Sequence, residues 1–69
     1  MNICRLAGHN IRLYRQKKGL TQEALAVKAK MNRPYLSDME QGTKNPSLDM
    51  LDRIAKALDI TVIELLQKK

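Results

Sequence analysis

Two stretches of helical periodicity lie only three residues apart in this sequence. Leu25, Ala26 and Ala29 recur at helical spacing, as do Leu36 and Met39, and only Lys30, Met31 and Asn32 stand between the two runs. A connection that short cannot fold one helix back alongside the other, so the pair is expected to meet at a steep angle. The other apolar residues keep the same rhythm of three and four: Ile3, Ala7, Ile11 and Tyr14, then Leu51, Ile54, Ala55 and Leu58, then Val62 and Leu65. The spacing predicts an all-α chain, with helices near residues 4–18, 22–29, 33–41, 48–58 and 62–68.

The residues between the runs agree. Gly19 falls where a C-terminal cap belongs after Lys17 and Lys18, and Gly42 closes the third helix in the same way. Thr21, Asn32, Ser47 and Thr61 each precede a periodic run as N-cap candidates. Thr61 with Glu64 three residues on is a capping-box pattern, the clearest of the start signals. Thr43, Lys44, Asn45 and Pro46 read as a polar loop, because Pro46 biases Asn45 away from the helical region. No repeat, low-complexity tract or linker is visible, and residues 1–69 are expected to form a single domain.

At 69 residues the core must be modest, since a chain of this size buries only about 60% of the surface that it exposes when unfolded. Cys4 is the only cysteine, so no disulfide can form within the chain, and a lone thiol fits a reducing, cytoplasmic setting. Pairing with a second copy is the more natural source of added stability. The formal net charge is +6, and no acidic residue precedes Glu23, so Arg5, Arg12, Arg15, Lys17 and Lys18 are uncompensated along the sequence.

A polyanionic partner suits that balance. An anionic membrane would attract the same segment, and its acid-free, Arg-containing start can imitate a transit peptide. Against both, no apolar stretch approaches the roughly 18 residues of a membrane span, and the basic segment runs straight into a patterned domain. With Tyr14 and Tyr35 the only aromatic residues, a platform for stacking unpaired bases is disfavoured.

Enzymatic chemistry finds little purchase. Cys4 and His9 would point about 140° apart on a helix, too far to act as nucleophile and base. There is no carboxylate pair, glycine-rich phosphate loop or metal-ligand cluster. No catalytic residue, cofactor, metal or small-molecule substrate is expected.

The steep pairing of the second and third helices is the geometry of a helix-turn-helix, whose second member enters the major groove of double-stranded DNA. At about 100° per residue, Arg33, Pro34, Ser37, Asp38 and Gln41 share one face of the third helix, with Leu36 and Met39 opposite. The runs Leu20-Thr21-Gln22-Glu23-Ala24-Leu25-Ala26, Tyr35-Leu36-Ser37-Asp38-Met39-Glu40-Gln41-Gly42 and Asn45-Pro46-Ser47 resemble the lambda-repressor-like family of phage repressors, Cro proteins and restriction-modification controller proteins. The likeness extends from about Ala7 to Leu66.

The resemblance implies a compact five-helix lambda-repressor-like domain that acts as a transcriptional regulator of repressor, Cro or controller type, binding a palindromic operator as a homodimer. It implies that Gln22 grips a phosphate together with the N-terminus of its helix. It implies further that Asn32, Arg33, Pro34, Ser37 and Asp38 touch base edges or adjacent phosphates, that Lys44 and Asn45 contact the backbone from the loop, and that Arg15 pairs with Glu40. For Arg33 the preferred target is guanine O6 and N7; Asp38 either accepts from cytosine N4, discriminates against other bases or pairs with a neighbouring cation. The Tyr35 hydroxyl lies beside the base-facing arc, where it either reaches a phosphate or packs. Tyr14 is expected in the core, and Lys68 and Lys69 in a solvated tail.

Two departures from the family pattern stand out. The turn Ala29-Lys30-Met31 has no glycine, so either Lys30 takes the left-handed conformation at about 1 kcal/mol or more, or the turn differs. Pro34 sits early in the third helix, where the missing N–H is tolerable. Ile60, Ile63 and Leu66 remain apolar once Val62 and Leu65 are committed to the core, and they are the expected dimer surface. The rival reading, an antitoxin-type or protein-interaction module that keeps the fold without binding an operator, leaves the joint presence of Gln22, Arg33, Lys44 and Asn45 unexplained.

Overall fold

A computed structural model describes residues 2–68; Lys69, one half of the expected tail, lies outside them, and Lys68 is exposed. The described residues form α1 (Ile3–Lys17), α2 (Gln22–Ala29), α3 (Arg33–Gln41), α4 (Leu48–Leu58) and α5 (Val62–Leu66). Each begins on a side chain that satisfies an otherwise orphaned N–H. Thr21 accepts from Ala24 N at 3.0 Å, Asn32 from Tyr35 N at 2.8 Å and Ser47 from Met50 N at 3.1 Å. Thr61 and Glu64 close the capping box on α5.

The first helix starts one residue earlier than its periodicity suggests, because Asn2 caps it, accepting from Cys4 N at 3.0 Å and Arg5 N at 3.3 Å. Four connections turn on a left-handed residue: Gly19 and Gly42, and also Lys30 (φ 58°) and Asp59 (φ 59°). Lys30 therefore keeps the turn that the family usually builds with glycine. At each of these ends an N–H two or more residues past the helix returns to its last turn, as Leu20 N does to Arg15 O at 3.1 Å and Met31 N to Ala26 O at 2.9 Å.

The core is one cluster from all five helices, in which Ile11, Leu25, Leu36, Ile54, Leu58 and Leu65 are wholly shielded from solvent and Met39 nearly so. Tyr14, expected there, is instead half-buried and packs against its edge. Its ring lies beneath the Lys17 ammonium, 5.6 Å from the ring centre.

Gly8 sets the closest approach. A Cβ built there would fall 2.1 Å from the carbonyl oxygen of Met39 and 3.0 Å from that of Glu40, so α1 rests directly on the backbone of α3. Asn10, two residues on and fully buried, donates from Nδ2 to Leu65 O at 2.8 Å and Gln67 O at 2.7 Å. Those bonds account for the end of α5, which stops at Leu66 rather than reaching 68: Gln67 is extended, with its carbonyl turned back to the side chain of Asn10.

Gly8→Ala separates propensity from packing. Helix propensity alone would raise stability by about 1 kcal/mol. The clash with Met39 O should reverse the sign and lower stability by about 2 kcal/mol, as overpacking does. Urea unfolding of the variant measures the difference, and a gain in stability would show that α1 and α3 can separate freely.

Candidate nucleic-acid interface

The site is organised around a buried ion pair. Arg15, in the last turn of α1, meets Glu40 of α3 edge to edge, with Nε 2.8 Å from Oε2 and Nη2 3.1 Å from Oε1. Nη1 donates to Leu20 O at 2.8 Å. The side chains are only 12% and 3% exposed, so neither charge could be left without the other. Glu40 Oε1 also accepts from Gln22 Nε2 at 3.1 Å, which brings the N-terminus of α2 onto the same carboxylate. Gln22 Oε1 in turn takes a long contact from Arg33 Nη1 at 3.5 Å.

The amide of Gln22 is thereby oriented from both sides, its NH2 toward a carboxylate and its oxygen toward a guanidinium. One of its two amide hydrogens goes to Glu40, and the second remains to donate outward beside the first N–H groups of α2. This is the chemistry of an anion grip built on a helix N-terminus.

Along α3, Leu36 and Met39 are buried, whereas Arg33, Pro34 and Gln41 are exposed and Ser37 and Asp38 half-exposed. The helix thus divides into a packed side and a side that the protein leaves to solvent. Asn32 commits its oxygen to the cap on Tyr35 N, so its NH2 is the group left for a ligand. Gln41 Nε2 leans on Ser37 Oγ at 3.4 Å. Among the described residues no Lys, Arg or His nitrogen lies within 4.0 Å of the Asp38 carboxylate. Its backbone carbonyl holds the end of α3 instead, accepting from Thr43 N at 3.0 Å and Thr43 Oγ1 at 3.1 Å.

Beyond α3, Lys44 is exposed on the loop, and Asn45 is fixed to α1 because its Oδ1 accepts from Cys4 Sγ. Cys4 is therefore engaged with the loop, and His9 is exposed apart from it. Tyr35 is half-buried against the core. Of the residues expected at a dimer surface, Ile63 is 68% exposed, whereas Ile60 and Leu66 are half-buried against the core.

One member of this assembly escapes sequence reasoning. Arg53 on α4 donates through Nε to Ala29 O at 3.1 Å and through Nη2 to Lys30 O, the carbonyls at the α2–α3 turn. In the sequence Arg53 follows Asp49 by four residues and reads as half of a solvated helical pair, a contact that the structure does contain at 3.5 Å. Ile3, which heads the apolar run of the first helix, is exposed rather than buried, as are Val27 and Leu48, and Ile3 and Leu48 share a groove with Leu66. No helix among the described residues is long and apolar enough to cross a membrane.

Residues 11–65 match the helix-turn-helix family model. The control protein C.BamHI of Bacillus amyloliquefaciens is 42% identical over 66 residues, spanning 94% of this chain and 82% of that protein. The restriction-modification controller protein C.AhdI from Aeromonas hydrophila superposes with a TM-score of 0.87 at 39% identity, over 90% of this chain and 94% of that one. SinR, a master regulator for biofilm formation solved in complex with DNA, gives a TM-score of 0.84 at 37% identity, over 88% of this chain and 98% of that one.

Glu40→Gln tests the ion pair. It keeps the shape and strips the charge, leaving the Arg15 guanidinium buried without its counter-ion, and should lower stability by about 3 kcal/mol. Adding Arg15→Met to that variant should recover much of the loss, since no charge is then buried. Equal melting of Glu40→Gln and the parent would mean that solvent reaches the pair.

Proposed function

The chain belongs to the helix-turn-helix family, and we propose that it is a sequence-specific, double-stranded-DNA-binding transcriptional regulator of the repressor, Cro-like or controller kind. The observation that carries this reading is the division of α3: one side is locked into the core by Leu36 and Met39, and the other, with Arg33, Pro34, Ser37 and Asp38, carries polar and charged groups that the fold does not consume. In this reading α3 enters the major groove. Arg33 and the NH2 of Asn32 meet base edges, Ser37 and Asp38 line the same groove, and Pro34 contributes van der Waals contact. The oriented amide of Gln22 takes a phosphate together with the N-terminus of α2, and Lys44, Asn45 and the hydroxyl of Tyr35 hold the flanking backbone. The family is one of DNA-binding regulators rather than enzymes, and the site is assigned no catalytic step. A cytoplasmic setting suits both a DNA partner and the reduced thiol of Cys4.

The regulator acts as a two-fold homodimer in this reading, joined through Ile63 with the flanks of Ile60 and Leu66. A two-fold axis would place two copies of α3 about 34 Å apart and require an approximately palindromic operator with half-sites about 10 base pairs between centres.

Selection of duplexes from a random pool, followed by titration at several salt concentrations, tests the DNA reading. Log K should fall with log salt by about 0.9 for each phosphate neutralised. Arg33→Ala should lose about 1–3 kcal/mol of preference at a single base pair, whereas Gln22→Ala and Lys44→Ala should weaken every sequence alike. A flat salt response with no sequence preference would instead favour an interaction module that keeps the fold without the operator.

Sedimentation tests the assembly. Because Leu66 packs against the core, Ile63→Asp is the cleaner surface variant, and it should give a folded monomer that binds a half-site weakly. A parent protein that stays monomeric at micromolar concentration, both free and on DNA, would overturn the dimer.

A further inference from the structure

The turn between α2 and α3 is held in a conformation that its own sequence does not favour. Lys30 is left-handed, with φ 58° and ψ 51°, where a residue with a Cβ is strained. Helix α2 also ends with carbonyls that lack intrahelical partners. The fork of Arg53, reaching across from α4, supplies two of them: Nε donates to Ala29 O at 3.1 Å and Nη2 to Lys30 O. Nη1 is steadied by Asp49 Oδ2 at 3.5 Å and Met50 Sδ at 3.6 Å.

The choice of those two carbonyls matters. The Ala29 carbonyl belongs to the peptide plane before the Cα of Lys30, and the Lys30 carbonyl to the plane after it. The angle between these planes is what φ and ψ of Lys30 describe. Since Nε and Nη2 lie on one edge of a rigid, planar group, holding both oxygens fixes that angle. Asn32 and Arg33, which cap and begin α3, follow within three residues. A rotation at Lys30 would therefore swing the whole of α3 relative to the body of the protein.

We propose that Arg53 is the positioning residue of α3: without touching a base, it locks the backbone at Lys30 and so sets the angle at which α3 is presented. This rests on the reading of α3 as the element that recognises DNA. Base-edge hydrogen bonds weaken steeply when misaligned, whereas phosphate contacts tolerate small displacements. The consequence of losing the clamp is therefore loss of discrimination ahead of loss of overall affinity.

The test compares the full chain with Arg53→Ala, Arg53→Lys and Arg53→Ala/Lys30→Gly. Each is checked for folding by circular dichroism at the assay temperature, then titrated with the selected operator and a scrambled duplex of equal length. In Arg53→Ala the operator-to-scrambled affinity ratio should fall about tenfold or more, the size of one lost bidentate base contact, with the scrambled duplex bound within about twofold of the parent. Arg53→Lys, a point charge that cannot span both carbonyls, should not restore the ratio. Lys30→Gly relieves the strain at the turn and should return melting toward the parent without returning discrimination.

An unchanged ratio in Arg53→Ala overturns the proposal. So does a ratio that recovers in step with stability in the double variant, because Arg53 would then be a stabilising contact only. Hydrogen exchange gives a readout that needs no DNA: the Lys30 and Met31 amides should exchange at least tenfold faster in Arg53→Ala, relative to core amides, and unchanged protection overturns the clamp. Should the parent itself show no sequence preference, the DNA reading fails while exchange at those two amides still decides the clamp.

Discussion

Arg15 and Glu40 are joined where three helices converge, and the mutual placement of α1, α2 and α3 depends on keeping that pair satisfied. The carboxylate is almost wholly buried, and a charge there is costly unless it is paired and hydrogen-bonded. Its partners come from α1 and α2, while Glu40 itself belongs to α3. A single side chain therefore requires α1 to lie on α3 and the start of α2 to lie beside both. Gly8 makes the first of these possible by bringing α1 against the carbonyls of Met39 and Glu40. Set against desolvation, such a pair adds little net stability. What it supplies is registry, because the fork of Arg15 and the two oxygens of Glu40 match in one arrangement.

The elements themselves were legible because each rests on local chemistry. Hydrophobic spacing at three and four marks the buried stripe, and Thr21, Asn32, Ser47 and Thr61 sit where their oxygens can take the first free N–H groups. The boundaries that differ are set by side-chain contacts that hydrophobic periodicity does not register, one local and one distant. Asn2 extends the start of α1 through a cap that periodicity does not report, and Asn10 holds the carbonyl of Gln67, 57 residues away along the chain, in an extended segment where α5 would otherwise continue. Gly19 and Gly42 announce their left-handed turns, whereas Asp59 does not; at Lys30 the missing glycine left two possibilities open, and the residue sequence does not choose between them because what holds the lysine left-handed comes from α4.

The site was legible to a different depth. Gln22 came from the resemblance, and Arg33, Ser37 and Asp38 from their shared face of α3; the structure brings Arg33 Nη1 within 3.5 Å of Gln22 Oε1 and leaves Ser37 and Asp38 half-exposed. Arg53 was not found, since its four-residue spacing from Asp49 already explains it as an ordinary surface pair. Gly8 was not found either, because a glycine inside a helical pattern carries no mark of what will rest against it. Contacts that join distant segments through the backbone leave no residue pairing for a linear reading to detect.

Helix α5 has five residues, too few to persist by itself in water. Its carbonyl end is finished by the amide of Asn10, a side chain that exists in the right place only when α1 has formed and docked. The last helix is thus conditional on the first, and any surface that α5 presents exists only while α1 is docked against it.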